Sequence, residues 1–97
     1  MKDLSFSRRA NADMDSIWDY SAKNWGPDQA DDYTDMIRDT CQWLASGRKH
    51  GRKSSVRPAS LKYNCGSHVI WFKEMDDRIE IIRILHSAQD IERHLHD

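Results

Sequence analysis

A chain of 97 residues with 32% charged side chains and a mean hydropathy of −0.87 can build only a small core, so we expect one domain over 1–97. It contains no apolar run of membrane length and no leader-like N-terminus, which argues against a membrane protein and predicts a cytoplasmic location. The net charge of −1 hides a split: residues 10–39 carry eight Asp against two cations, whereas residues 40–73 carry seven Lys or Arg and no acid. This split predicts one acidic face and one basic face.

No motif in the sequence indicates a metal or another cofactor. Cys41 and Cys65 are isolated, so we interpret both as reduced packing thiols. His94 and His96 are close together but have no further ligand at metal-site spacing, and there is no Gly-rich phosphate loop. We therefore predict neither a metal nor a cofactor.

The first half of the chain predicts a strand followed by two helices. The strand covers 2–6, and Ser7 is suited to cap a helix that runs to about Trp25. A second helix begins at Pro27 and runs to about Ala45, before a glycine of the kind that ends helices. Because only a Gly–Pro link separates them, the two helices should fold back as an antiparallel hairpin.

The second half predicts a basic loop over 47–58, a strand over 59–65 and a hairpin of two strands over 68–73 and 79–85. A final helix is predicted from Ser87. The hairpin strands are the most apolar on both side-chain parities, so they should form the sheet centre. This order predicts an α+β domain, in which an N-terminal strand precedes an antiparallel helical hairpin packed on an antiparallel sheet, with a short C-terminal helix at the end.

One residue of the last strand does not fit its pattern. Arg83 falls in phase with Ile81 and Leu85, in apolar company. An unpaired charge on a buried face costs several kcal/mol. Either Arg83 forms an ion pair with an acid such as Glu80 or Asp90, or its face is open and binds something.

Large apolar side chains off the buried helix stripes predict a second candidate surface. Trp18 flanks the stripe of the first helix, and Met36 and Trp43 lie about a quarter turn off the stripe of the second. These residues either widen the core or contact a partner. The cations of the basic loop either belong to a solvated surface or meet an acidic partner or polyanion; they are Arg48, Lys49, Arg52, Lys53 and Arg57.

A series of short motifs extends over almost the whole chain. They are Trp18-Asp19-Tyr20, Trp25-Gly26, Gln29-Ala30, Tyr33, Gly51-Arg52, Arg57-Pro58, Gly66, His68-Val69-Ile70, the run from Ile79 to His86, and Asp90. In this order the motifs resemble the ParE toxins of the RelE/ParE superfamily. The chain departs from that pattern at Trp71-Phe72, where the family tends to have Phe-Tyr, and over 61–65, where an Arg and a Pro are usual.

The resemblance implies the toxin of a bacterial type II toxin–antitoxin system, of the kind associated with plasmid stabilisation. The ParE branch is associated with poisoning DNA gyrase and the RelE branch with cutting mRNA on the ribosome. Three hypotheses follow: a gyrase inhibitor without chemistry of its own, a ribosome-dependent ribonuclease, and an inactive homologue that only binds a partner. Arg83 and His86 would be the catalytic residues of the ribonuclease, with Lys62 or Tyr63 nearby. Alternatively, His86 ends its strand and bonds the start of the last helix.

We expect the gyrase inhibitor, most simply a non-catalytic protein that binds its target. The resemblance implies a cognate ParD-like antitoxin in a hetero-oligomer, DNA gyrase as the target, and neither a membrane nor a sequence-specific nucleic acid as a partner. The predicted target-binding residues are Arg83, Gln89, Glu92, Arg93 and His96. The predicted antitoxin-binding residues are Trp18, Met36, Trp43, Arg48, Lys49, Arg52, Lys53 and Arg57.

Overall fold

The computed structural model describes residues 1–54 and 59–88. Its elements are β1 (Asp3–Phe6), α1 (Arg8–Trp25), α2 (Pro27–Ala45), β2 (Arg52–Lys53), β3 (Leu61–Cys65), β4 (His68–Glu74) and β5 (Arg78–His86). Neither helix in these ranges is long and apolar enough to cross a membrane. The helix predicted after Ser87 lies outside the described residues from position 89 onward.

The helical hairpin is confirmed, and its ends follow the capping residues of the sequence. The Ser7 hydroxyl accepts the Ala10 N–H at 3.0 Å and donates to the Ile82 carbonyl at 2.6 Å, so it caps α1 and ties it to β5. Gly26 has a φ of 96° between the two helices, and Gly47 has a φ of 79° just after α2. Both values favour glycine, which allows the sharp reversal and the helix end.

The five strands form one mixed sheet in the order β1-β5-β4-β3-β2. The predicted central hairpin is confirmed, because β4 and β5 are flanked on both sides. The prediction of an antiparallel sheet holds for β2 to β5, whereas β1 runs parallel to β5. A parallel pair needs a crossover, and the segment that includes the helical hairpin supplies it. The two-residue strand β2 lies inside the region predicted as a loop, since so short a run has no detectable periodicity.

The helices cover one face of the sheet. Ile37 and Cys41 of α2 pack in the core with strand residues such as Ile70, Phe72 and Ile81, all at most 1% exposed. By the alternation of strand side chains, the neighbours of these strand residues point to the opposite face. A smaller buried cluster lies there, formed by Val69, Trp71 and Leu85.

A bulge in β5 changes which residues share a face. Phe72 lies opposite Ile81, but the preceding residue Trp71 lies opposite Arg83, so the pairing shifts at this point. Ile82 is therefore the extra residue of a β-bulge. The bulge reverses the alternation beyond it, and Arg83 does not share the face of Ile81. The simple two-residue period, which placed them in phase, is wrong here.

Candidate functional site

A cleft of about 660 Å³ opens between α1, the start of α2, the β3–β4 turn and the end of β5. Its volume lies in the range of ligand sites, and its walls combine aromatic and aliphatic side chains with convergent polar groups. The lining residues are Asp13, Ser16, Ile17, Tyr20, Ser21, Trp25, Gln29, Tyr33, Ser67, His68, Ile84, His86 and Ala88.

A hydrogen-bonded Tyr–His pair lies in this cleft. The Tyr33 hydroxyl accepts the Ser67 N–H at 3.0 Å and lies 2.6 Å from Nδ1 of His68. Because its oxygen already accepts one bond, the natural role of the hydroxyl hydrogen is donation to Nδ1. Burial raises the pKa of Tyr33. Burial and then the nearby His86 lower the pKa of His68, against a smaller opposing effect of Asp13.

His86 lies directly across the sheet from His68, with 5.3 Å between the ring centroids. Its Nδ1 accepts the Ala88 N–H at 3.1 Å, immediately after the strand ends. This contact is the structural alternative predicted for His86, a bond to the segment that follows β5. Since Nδ1 of His68 accepts the hydroxyl hydrogen of Tyr33, the His68 imidazole is neutral in this arrangement.

Arg83 forms an ion pair with Asp13 of α1. Its Nε lies 2.8 Å from Oδ2 and its Nη2 lies 3.0 Å from Oδ1, and both side chains are mostly buried, at 16% and 15% exposure. The predicted ion pair therefore exists, but its partner is Asp13 and not Glu80. Asp90 lies outside the described residues. The hydrogen bonds that Arg83 donates to Asp13 raise the pKa of Arg83.

Asp13 also completes the edge of the sheet. β1 pairs with β5 only as far as Ile81, because the chain then turns into α1. Beyond that point Oδ2 of Asp13 accepts the Ile84 N–H at 2.9 Å, where a strand would otherwise be needed. The sequence signal for this role is weak: Asp13 directly precedes the buried Met14, so it flanks the apolar stripe of α1.

The four residues of the ribonuclease hypothesis do not converge. His86 lines the cleft on the helix side of the sheet. Lys62 lies opposite Trp71, which is itself opposite Arg83, so Lys62 and Arg83 are two strands apart, about 10 Å. Tyr63 lies opposite Ile70 and packs against the core under the helices. A general acid or base, a phosphate-holding cation and their neighbours are thus distributed over both faces of the sheet.

Three predicted antitoxin-binding residues meet at the end of α2. Trp43 is 36% exposed, and its ring centroid lies 5.8 Å from the Arg48 guanidinium and 5.3 Å from Nζ of Lys49. The same ammonium lies 5.5 Å from the ring of Tyr63 on β3. These distances are typical of cation–π contacts, so the basic residues are held against an exposed aromatic surface.

The other two apolar candidates lie further along the hairpin. Met36 is 38% exposed and lies beside Gly66 in the β3–β4 turn. Trp18 donates its Nε1–H to Asp31 at 2.7 Å and so links α1 to the first half of α2. Asp31 precedes Trp43 by twelve helical residues, about 18 Å, so Trp18 does not belong to the surface around Trp43.

The edge formed by β2 and β3 holds a smaller depression of about 270 Å³. Its lining includes Arg52, which was predicted to bind the antitoxin, and Lys62, which was considered for catalysis. It also includes His50, Tyr63 and Asn64. His50 and Asn64 were missed as site residues because no motif marks them, and only strand pairing reveals their proximity.

Five of the predicted site residues cannot be placed, since Arg57, Gln89, Glu92, Arg93 and His96 lie outside the described ranges. Within those ranges no group of three or more His, Cys, Asp or Glu side chains could hold a metal ion.

Comparisons with known proteins agree with one another. A family model described as ParE toxin of type II toxin-antitoxin system, parDE, matches residues 4–91. Toxin ParE1 of Caulobacter vibrioides is 38% identical over 96 residues, which cover 98% of this chain and 99% of that protein. Toxin ParE1 of Mycobacterium tuberculosis is 31% identical over 91 residues, which cover 92% of this chain and 93% of that protein.

Solved structures share the fold. A chain of the chromosomal ParDE TA system from P. aeruginosa matches with a TM-score of 0.78 and 26% identity, over 89% of this chain and 96% of that one. A chain of the E. coli DinJ-YafQ complex matches with a TM-score of 0.61 over 94% of this chain and 99% of that one. Its identity is 12%, so this second likeness is one of fold alone.

Proposed function

Because this chain belongs to the ParE toxin family of type II toxin–antitoxin systems, we propose that it poisons DNA gyrase and is neutralised by a cognate ParD-like antitoxin. Gyrase acts on bacterial DNA, so this proposal also assigns the toxin to the cytoplasm. A poison of this kind stabilises a protein–DNA intermediate, and it needs a contact surface but no proton transfer.

The ion pair of Arg83 with Asp13 favours the gyrase hypothesis over the ribonuclease hypothesis. Cleavage of RNA requires an acid or base together with a cation that holds the phosphate. Arg83 was the cation predicted for that role, and its Nε and Nη2 donate to Asp13. A guanidinium neutralised in this way is poorly suited to bind a phosphate. This supports a toxin that acts by contact.

The proposed antitoxin surface is centred on Trp43 with Arg48 and Lys49, and Met36 extends it along α2. Exposed apolar side chains beside cations fit an amphipathic segment with acidic residues. The likeness to a chain of the P. aeruginosa ParDE TA system supports a toxin that is made with such a partner.

The target is tested with purified toxin in two parallel assays. Gyrase supercoiling of plasmid DNA should be inhibited, with linear DNA accumulating as trapped cleavage complexes, while ribosome-bound mRNA stays intact. The His86→Gln variant should retain this activity, because a poison that acts by contact needs no proton transfer from His86, whose Nδ1 accepts the Ala88 N–H. Rapid mRNA cleavage that disappears in His86→Gln would instead establish the ribonuclease. Inactivity in both assays would indicate a toxin homologue that only binds its partner.

The antitoxin surface is tested by charge insertion. Met36→Asp combined with Trp43→Asp should weaken antitoxin binding at least tenfold, about 1.4 kcal/mol, as expected for loss of an aromatic anchor. A matched control is Tyr20→Asp with Trp25→Asp, which alters two exposed aromatic residues, 63% and 58% exposed, at the far end of the hairpin. Equal losses in both variants, or no loss in the first, would show that the surface lies elsewhere.

A further inference from the structure

The depression at the β2–β3 edge has an unusual chemical composition. Each of its five lining side chains can donate a hydrogen bond, and two of them, Arg52 and Lys62, are permanent cations. The depression has no carboxylate in its lining, and residues 40–73 contain no acid at all. A concave site that offers five donor side chains, two of them cations, and no carboxylate is complementary to an anion with several acceptor oxygens.

The strand register strengthens this interpretation. Arg52 lies directly opposite Lys62 in the antiparallel pair of β2 and β3. Like charges in directly opposed positions destabilise a sheet, and a bound anion between them would remove that repulsion. Neither side chain has an ion-pair partner among the described residues, where the ion pairs involve Lys2, Arg38 and Arg83.

The surrounding chain holds these groups in place. The Lys62 ammonium lies 5.5 Å from the ring of Trp71, which is fully buried, so this cation is positioned before any ligand arrives. Gly51 packs on the ring of Phe72, where a Cβ would have no room. This contact fixes the backbone between His50 and Arg52, the two lining residues on either side of Gly51.

We propose that this depression binds a backbone phosphate of nucleic acid. Its volume of about 270 Å³ is small for a complete ligand but sufficient for one phosphate group. Further cations continue along the surface, since Tyr63 of the depression contacts Lys49 and Lys49 lies beside Trp43 with Arg48. Further cations beyond a single phosphate site fit a polyanion, which offers further phosphates to them.

The identity of the polyanion rests on the proposed function: it is the duplex DNA that gyrase holds. A poison that contacts both enzyme and DNA would bind the intermediate more tightly than either component alone. The depression would supply the contact to DNA, independent of base sequence, because phosphate contacts carry no sequence information directly.

The test measures binding of the purified toxin to a short labelled DNA duplex by fluorescence anisotropy, between about 50 and 200 mM salt. The variant Arg52→Gln with Lys62→Gln should weaken binding at least tenfold and reduce the slope of log K against log salt by about 1 for each cation removed from a phosphate. The matched control, Arg8→Gln with Arg9→Gln, removes two exposed charges at the start of α1. It should weaken DNA binding less than tenfold and leave the salt slope unchanged.

A second variant guards against misfolding. Asn64→Asp places a carboxylate in the depression at an exposed position, so it should preserve the melting temperature and still weaken DNA binding. No binding by the wild type, equal losses in the Arg8 and Arg9 control, or full binding by Asn64→Asp would overturn the proposal. An RNA duplex bound tightly while DNA is not would overturn the choice of DNA, and loss of antitoxin binding alone would assign the site to a protein partner.

Failure of this proposal is distinguishable from failure of the proposed function. Wild-type toxin that poisons gyrase but does not bind DNA would refute the phosphate site and leave gyrase as the target. Toxin that binds DNA through the depression but does not poison gyrase would refute the target and retain the site.

Discussion

Arg83 and Arg52 lie at opposite ends of one row across the sheet, in which Arg52 pairs with Lys62, Lys62 with Trp71, and Trp71 with Arg83. At the β5 end, α1 supplies Asp13, and the charge is neutralised and mostly buried. At the β2 end, the neighbour is a second cation, and Arg52 is exposed. The same residue type is thus paired with an acid at one end of the row, and exposed beside a second cation at the other.

The difference is decided by the element that lies beside each edge. β5 is followed along its edge first by β1 and then by α1, which belongs to the Asp-rich part of the chain. β2 is the last strand of the sheet and belongs to the span without acids. The acid that pairs with a strand arginine comes from another element, which the fold places beside it. The strand sequence alone therefore does not show whether the arginine is paired.

The largest expected loss of stability comes from truncating a side chain of the core under the helices. Ile81 is fully buried beside the bulge that puts Ile81 and Arg83 on different faces of β5. Ile81→Ala should destabilise the protein by about 2–5 kcal/mol, because a cavity remains where the side chain was. Urea unfolding measures the change. A loss below that of an exposed-site substitution would mean that the bulge adjusts to fill the space.

The next largest effect should come from Asp13→Ala, at about 3 kcal/mol. The substitution leaves the Arg83 guanidinium and the Ile84 N–H without their acceptor in a mostly buried position. Asp15→Ala is the matched control, since Asp15 is an exposed residue of the same helix and should change stability by less than about 0.5 kcal/mol.

Arg83→Ala completes that comparison. It should cost less than Asp13→Ala, because the carboxylate keeps its bond to the Ile84 N–H. The double variant should reveal a coupling energy between the two side chains within the usual range of about 0.5–3 kcal/mol for residues in contact. Additive losses would show that the pair contributes nothing beyond its separate members.

Much of the fold could be predicted because local signals agreed with the final structure. Ser7, Gly26 and Gly47 mark the helix ends, and the apolar run of β5 marks the sheet centre. The parallel pairing of β1 could not be predicted, because local patterns do not contain strand direction. The bulge at Ile82 was equally hidden, since two-residue periodicity assumes an uninterrupted ladder.

The candidate sites were predicted only where composition signalled them. Trp43 and the basic residues after it were predicted to form one surface because a large aromatic and a run of cations are visible in the sequence, and they do lie together. The cleft was missed, because Tyr33 and His68 are 35 residues apart and only the packing of α2 on the β3–β4 turn joins them. Asp13 was missed for the same reason, because it is 70 positions from Arg83 in the sequence.

The partly buried His68 of the cleft should make the stability of the protein depend on pH. His68 has a folded-state pKa below its ordinary value of 6.5, with burial as the main cause, and the titratable groups that face it are His86, Asp13 and Tyr33. Below pH 6.5 the unfolded chain takes up a proton that folded His68 resists, so stability falls as the pH drops from above 6.5 toward the folded-state pKa.

His68→Gln should remove that dependence. The difference in stability between wild type and variant should be largest above pH 7 and should narrow toward pH 5, as measured by urea unfolding at each pH. NMR titration of the His68 ring in the wild type provides the direct check. A midpoint above 6.5 would contradict the neutral Tyr33–His68 arrangement.

The smallest effect on stability should belong to Arg52. Its side chain is exposed, it has no ion pair among the described residues, and it faces a second cation, so Arg52→Ala should change stability by less than about 0.5 kcal/mol, with either sign. Because the substitution removes the repulsion from Lys62, a small gain in stability is expected more than a loss. The change is measured beside Arg83→Ala in the same urea series. Comparable losses for the two arginines would show that both are structural, and the contrast between the two ends of the row would not hold.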